Sequence, residues 1–375
     1  MLGKFTVCLL SALLASTAVQ AADIVVGQVA SLSGQGSAEL GQGMRQGVEA
    51  CFAQVNAAGG IKGQKLKLVS EDDHYVPAET VKLTAKLLQT PNLVALTSFR
   101  GTETTLALAK SGLLAKSGVS LVGTLSGAEE IQGVPNIYHT RISFQKEIEK
   151  LILQINTMGM KRIGVFHPTD TFGRSGMAAA TKALASLGSK PAAEEAYGAS
   201  PTPQNIDKSV QALMRAKLNA VVVIASNAPA YQFIKRLREL SPATPIYAIS
   251  VVDYEQVVKV LGPKAARGIG FSQVSPFPFS DAKPVVREYR KALSKYVPGA
   301  KPSYFSMQGF INAKILVLAM QKADKPLTSK SVSAALAKLG PVDLGGFVIN
   351  FDKRTHNGSD YAGLSVVGAN GQLIH

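Results

Sequence analysis

A unit of strand, hydroxyl-rich turn and helix recurs along this chain, and it constrains the fold more than any other feature. It is clearest over residues 93–130, LVALTSFRGTETTLALAKSGLLAKSGVSLVGTLSGAEE. Apolar strands are predicted at residues 93–97 and 119–123. A turn follows each, at residues 98–102 and 124–126, and the first turn opens directly into a helix. In an open parallel sheet, small ligands bind at the carboxyl ends of the strands. The exposed N–H groups of a helix start favour an anionic group there. The two turns therefore read as half of a small-molecule clamp.

The same unit is found before and after this stretch. A strand over residues 23–30 precedes a helix over 43–58, whose apolar face is Met44, Val48, Cys51, Phe52 and Val55. Gly59 and Gly60 stop that helix. A strand at 65–70 leads to Pro77, which suits the start of a helix over 78–89. Strands at 136–141 and 162–166 precede helices at 146–158 and 177–187, with HPTDTFGRSG as the second turn. Strand 220–225 runs through SNAP into helix 231–240, and strand 245–250 ends in VVDYE. Repeated units of this length imply an α/β fold of parallel sheets, joined by right-handed crossovers and covered on both faces by helices. The pattern breaks at GIGFSQVSPFP, residues 268–278, as a passage between domains would. Helices at 283–296, 303–322 and 329–339 follow, then strands near 346–351 and 364–367. The double recurrence predicts two similar lobes.

A length of 375 residues is ample for two such domains. The net charge of +15 is scattered, there is no Trp, and no basic run carries interleaved aromatics. A solvated basic surface is expected, not a nucleic-acid site. Residues 1–21 (Lys4, an apolar run to about Ala15, then Val19 and Ala21) read as a cleaved secretory signal peptide. That run is shorter than the ~20 apolar residues a membrane span needs, so no membrane insertion is expected. Cys8 follows Phe5, Thr6 and Val7, unlike a lipid attachment site. Cys51 is then the single cysteine of the mature chain and is expected as a buried thiol.

Catalytic signatures are missing. There is no GxSxG, HExxH, CxxC or P-loop. Gly34 and Gly36 begin a dinucleotide fingerprint, but Glu39 stands where its third glycine belongs. His74, His139, His167, His356 and His375 are isolated, with no metal-ligand spacing. Asp72 and Asp73 read as turn or capping residues. No enzyme activity, metal or cofactor is expected; Ser, Thr, Asn and backbone N–H groups on turns are binding chemistry.

Several stretches in order carry a resemblance. VGQVASLSG is followed by NAAGGIKGQKLKLVSEDDHYVP, with the pattern N-x-x-GGI-x-G and an Asp pair ahead of a proline. Then come GT-x-TT at Gly101 to Thr105, G-x-x-[ST]-GA at Gly123 to Ala128, and R-x-S-[YF] at Arg141 to Phe144. SQVSPFP, residues 272–278, completes the set. In these the chain resembles the type I periplasmic substrate-binding proteins of ABC importers, in the leucine/isoleucine/valine-binding class. The resemblance implies two doubly wound lobes joined by three crossovers. The first would take residues 22–142 and 274–343, the second 143–273 and 344–375, with hinge closure on a ligand between them. It implies a periplasmic protein with a small-molecule ligand and an inner-membrane permease as partner; a monomer is expected, because hinge closure needs both lobes free to move. A ligand sensor of the same fold is the alternative role.

By position, the resemblance assigns ligand contacts to Ser98, Phe99, Arg100, Gly101 and Thr102, and to Thr124, Leu125 and Ser126. The opposite lobe would add Phe172, Ser226 and Asn227. Relatives that bind amino acids hold the ammonium with a glutamate; its position here falls near Val251, with Asp253 two residues on. No aromatic stands near Glu39 and Leu40, where such relatives cover the ligand with one. The expected ligand is therefore a small carboxylate-bearing molecule, with des-amino acids or a small amide favoured over a branched-chain amino acid.

Overall fold

Two parallel sheets of the same winding order carry the chain. The computed structural model describes residues 22–34 and 38–375, so the expected signal peptide lies outside the described residues. The first lobe begins with β1 (Ile24–Ala30), α1 (Ala38–Ala57), β2 (Leu66–Asp72), α2 (Pro77–Leu87), β3 (Leu93–Phe99), α3 (Thr102–Ser111), α4 (Leu113–Ser117), β4 (Leu121–Thr124) and β5 (Ile137–Tyr138). The second follows with α5 (Phe144–Thr157), β6 (Ile163–Pro168), α6 (Thr171–Ser186), β7 (Ala193–Tyr197), α7 (Pro203–Arg215), β8 (Ala220–Val223), α8 (Asn227–Leu240), β9 (Ile246–Ala248), α9 (Tyr254–Leu261), α10 (Pro263–Ala266) and β10 (Gly270–Gln273). The chain then returns through α11 (Pro284–Tyr296), α12 (Tyr304–Lys322), α13 (Ser329–Ala337) and the pair β11 (Val342–Asp343) and β12 (Val348–Ile349). It ends in β13 (Gly363–Val367) and β14 (Leu373–Ile374).

The first sheet has the order β2-β1-β3-β4-β5, all parallel. The second runs β7-β6-β8-β9-β10 in parallel, the same winding, and adds β13 and β14 antiparallel at its far edge. In both, the order reverses beside the first strand of the lobe, between β1 and β3 and between β6 and β8. A crevice forms at such a point, outside the carboxyl ends of the strands.

Each sheet is covered on both faces. Val26, Ala95 and Val122 pack with α1, α11 and α12 on one face of the first sheet, and Val29, Leu96 and Leu121 pack with Leu87 and Leu108 on the other. Val165, Val222 and Ile249 join Ile148, Leu151 and Ala180 on one face of the second sheet; Phe166, Val223 and Phe271 join Val210, Phe233 and Ile234 on the other. Leu40, Met44, Leu125 and Phe305 of the first lobe belong to the same apolar cluster as Ile148 and Phe172 of the second, so that core is continuous across the cleft. Leu344, Phe347 and Ile349 bury against the first lobe's helices. Residues 350–362 then pass to the second sheet, fastened to β5 by His139 N–H to the His356 carbonyl (2.9 Å) and Gly358 N–H to the His139 carbonyl (2.8 Å).

The helices start earlier than apolar spacing predicts. The α1, α6 and α8 helices begin at residues 38, 171 and 227, against expectations near 43, 177 and 231. Turn-type residues stand at these starts: Gly41 and Gly43 in α1, Asp170, which caps α6 by accepting the Gly173 N–H, and Asn227 and Pro229 in α8. The pair β7 and α7 was not foreseen. The β7 strand is AEEAY and only its last residue is buried, so it lacks an apolar run; α7 is announced only by a Thr202 capping box and Pro203. Cys51 is buried as expected, and burial pushes its thiol up to about 12. Asp72 and Asp73 take turn roles, accepting the backbone N–H of His74 and Tyr75 respectively, each at 2.9 Å. Among the described residues no helix is long and apolar enough to cross a membrane.

Candidate ligand-binding site

The carboxyl ends of β3 and β4 meet those of β6, β8 and β9 across a narrow cleft. Its first-lobe wall is Leu40, Tyr75, Arg100, Gly101, Thr102, Leu125 and Ser126; Phe144, Phe172, Ser226 and Val251 line the other side. The lobes are closed on it, leaving about 30 Å³ free, room for no more than two or three waters. Among the hydrogen bonds that bridge the lobes here are Arg100 Nη2 to Asn227 Oδ1 (3.0 Å), Thr171 N–H to Glu103 Oε1 (2.7 Å) and Glu129 N–H to Ser175 Oγ (3.4 Å).

Arg100 is the chemical centre. It is 3% exposed and lies over the Tyr75 ring, its guanidinium carbon 4.4 Å from the centroid. Asn227 takes Nη2, whereas Nε and Nη1 are buried with no partner among the described residues. No carboxylate among the described residues pairs with it. Burial lowers its pKa, opposed by Tyr75, Asp73, Tyr231 and Glu39 at longer range. Burying a cation is unfavourable unless a partner with good geometry completes its hydrogen bonds. A carboxylate or similar anion would do so here, through charge-assisted bonds.

Gly101 makes this geometry possible. Its φ is +97°, which disfavours a side chain, and a Cβ there would stand 2.2 Å from the Tyr75 ring. Gly101 also provides no side-chain cap for α3, so the helix presents uncapped N–H groups beside Arg100. Thr102 and Ser126 meet at 2.6 Å between their hydroxyls, joining the two turns. Leu125 N–H donates to the Phe99 carbonyl (2.8 Å), fixing the second turn against β3.

A buried ion pair supports this wall from behind. Arg141 donates to the Leu125 carbonyl through Nη1 (2.8 Å) and pairs through Nη2 with Glu147, both side chains being buried. Glu147 also accepts the Ser250 N–H (2.8 Å) and the hydroxyls of Ser250 and Ser272. The Arg141 guanidinium lies 4.8 Å from the Phe144 ring centroid, and Phe144 packs on Phe172 at 5.3 Å. The R-x-S-F stretch thus positions a pocket aromatic and a pocket turn together.

Of the residues assigned by resemblance, Arg100, Gly101, Thr102, Leu125, Ser126, Phe172, Ser226 and Val251 line the cleft. Asn227 bridges it through Arg100. Ser98, Phe99 and Thr124 stand behind: Ser98 Oγ accepts from Asn312 (2.9 Å), Phe99 is in the core, and Thr124 Oγ1 donates to the Ser126 carbonyl (2.9 Å). Asp253 caps α9 through the Glu255 N–H (2.9 Å) and lines a neighbouring cavity instead. His167 is held by the Pro168 carbonyl and Glu194, away from the cleft. Tyr75 and Phe144 were not foreseen, and Leu40 lines the cleft where the resemblance puts a covering aromatic. Tyr75 reaches the cleft because both His74 and Tyr75 have positive φ, for which the DDHY sequence gives no clear signal. Phe144 closes the R-x-S-[YF] stretch, which by itself points to no ligand contact.

The family model for periplasmic binding proteins matches residues 23–372. A substrate-binding periplasmic protein from Ralstonia solanacearum is 32% identical, with a TM-score of 0.88 over 94% of this chain and 99% of that one. An extracellular ligand-binding receptor from Verminephrobacter eiseniae is 29% identical, with a TM-score of 0.87 over 94% of this chain and 100% of that one. An amino acid binding protein from Pseudomonas aeruginosa is 24% identical over 80% of this chain and 79% of its own length.

Proposed function

The chain belongs to the type I periplasmic binding protein family, Leu/Ile/Val-binding-like, and on that premise we propose that it captures a small carboxylic acid for an ABC permease. The observation that carries this is Arg100, a buried cation that lines the cleft and has two nitrogens with no partner among the described residues. Its partner would be the ligand carboxylate, assisted by Thr102, Ser126 and the start of α3. Leu40, Leu125, Phe144, Phe172 and Val251 would enclose the apolar part. The free space is far below the size of any such ligand, so the lobes must part to admit it and close to hold it. Residues 139–143, 274–283 and 350–362 are the passages about which they would turn. An exported monomer that docks on the permease in its closed form follows from the same reading.

A conventional amino acid is the rival ligand, favoured by the name of the Pseudomonas aeruginosa relative. An α-ammonium would lie within the same small cavity as its carboxylate, and no acidic side chain lines that cavity. A buried ammonium without a counter-charge is costly, which favours the des-amino acid. A melting-shift screen decides between them, with isovalerate, 4-methylvalerate and benzoate set against leucine, isoleucine and valine. Ligand at a hundred times its Kd stabilises by ~2.7 kcal/mol, a readily measured shift. Shifts with the acids are expected. Shifts confined to the three amino acids would overturn the des-amino reading, and no shift with any carboxylate would overturn the assignment of Arg100.

A further inference from the structure

A second and larger cavity, of about 210 Å³, lies in the same cleft. Neighbouring residues divide between the two: Leu40 and Val251 face the first, Glu39 and Val252 the second. The start of α1 and the approach to α12 form one wall of it, and the loop before α9 and the end of β10 form the other. Its character is opposite to that of the first. Glu39, Asp253 and Glu255 face it, against one amine, Lys301.

Two side chains there lack partners among the described residues. Glu39 Oε2 is buried with no hydrogen-bond partner among them. Gln273 is 3% exposed, and its carboxamide has no hydrogen-bond partner among the described residues. Asp253 uses an oxygen to cap α9, and burial, then the like charge of Glu255, pushes its carboxyl up to about 6. Lys301 acts on Glu255, whereas the charged groups that act on Asp253 are the carboxylates Glu255 and Glu39. A protonated amine would answer all of this, donating to Glu39 and to the Gln273 oxygen while offsetting the Glu39 and Asp253 charges.

The geometry points to this second cavity as a subsite for a cationic, hydrogen-bond-donating group, so that the ligand is an elongated acid with its amine remote from the carboxylate. This rests on the reading of Arg100 as the carboxylate site. It also accounts for a first cavity without an acid: the amine is not on the α-carbon. Linear ω-amino acids test it directly. Calorimetric titration of the full-length mature protein would compare 4-aminobutyrate, 5-aminovalerate and 6-aminohexanoate with butyrate, valerate and hexanoate. At one length or more the amino acid is expected to bind about tenfold tighter or better, and Glu39→Gln should bring that ratio back towards one. The ratio is read on one preparation, so a general loss of folded protein does not move it. Binding of the plain acids with no gain from the amine at any length overturns the subsite and leaves the carboxylate reading standing. A gain that survives in both Glu39→Gln and Gln273→Leu also overturns it. Binding of neither series overturns it too, and the acid screen above then judges Arg100 independently.

Discussion

Arg100 is held in a state that favours binding over stability. The residue is 3% exposed, and among the described residues its guanidinium has one hydrogen bond and no ion pair. A buried cation without a counter-charge carries a desolvation cost that an apolar side chain of similar length does not. Arg100→Met should therefore raise the melting temperature of the ligand-free protein while abolishing acid-induced shifts. A variant that melts lower and still binds acids would remove Arg100 from the site. His139 shows a different compromise. It is buried, with Nε2 3.1 Å from the Ile131 carbonyl, and burial pulls its pKa down to about 4. An unfolded histidine titrates near ~6.5, so between these values the folded state binds fewer protons than the unfolded one. Stability is full above pH ~6.5, falls as pH drops towards about 4, and levels off below. Asp253, raised to about 6, acts in the opposite sense over much of that window. In His139→Gln the loss of stability between pH 7 and pH 4.5 should shrink by about 2–3 kcal/mol, read from urea curves at both pH values. An unchanged slope would show that another group carries it. Arg100, Thr102 and Ser126 were legible because they follow apolar strands at a helix start, where the chemistry of a site is local. Tyr75 was not, because it arrives through a backbone turn that no local rule foretells.

The Arg141–Glu147 pair connects elements that sequence treats as separate. Through it the turn after β4, the start of α5, the end of β9 and β10 share one buried network. Removing one partner of a buried pair strands the other charge and costs about 3–5 kcal/mol. Glu147→Leu should show a loss of that size in urea unfolding, and the double change Arg141→Met with Glu147→Leu should recover most of it. If the double variant is as unstable as the single one, the pair's hydrogen bonds to Leu125 and Ser250 matter more than the stranded charge. Helix packing carries a second lesson at this scale. A Cβ at Gly47 of α1 would fall 1.9 Å from the Ser306 carbonyl oxygen, and one at Gly309 of α12 would fall 2.0 Å from that of Met44. These two helices cross in near backbone contact, which sets the positions of Glu39 and Leu40 beside the cleft. Apolar spacing found both helices but had no means of pairing them. It also placed the starts of α1, α6 and α8 too late, because residues such as Gly41, Thr171, Gly173, Asn227 and Pro229 interrupt their first turns, and periodicity counts these as loop.

At the scale of the whole molecule, two sheets of one winding order face each other with their switch points across the cleft. The recurrence of strand and helix made two lobes legible, although no literal repeat links them, because the order of a sheet depends on spacing and not on identity. How closely the lobes meet was not legible; contacts between residues more than a hundred positions apart decide it. Asn227 is the clearest of these. It begins α8 with a φ of +58°, a conformation that Asn and Asp tolerate better than other side chains, and it accepts from Arg100 across the cleft. Asn227→Asp keeps that backbone and sets a carboxylate against the unpaired guanidinium. The variant then carries within itself the charge that a ligand would bring, and a ligand can shift the open–closed balance only by its extra affinity for the closed form. Asn227→Asp should therefore melt higher than the native protein without ligand. Its radius of gyration by X-ray scattering should equal that of the acid-bound native protein before any acid is added. Its acid affinity should fall by about tenfold or more, since the incoming carboxylate must displace a charge-assisted bond. Native affinity together with native scattering in the variant would mean that Arg100 does not govern closure.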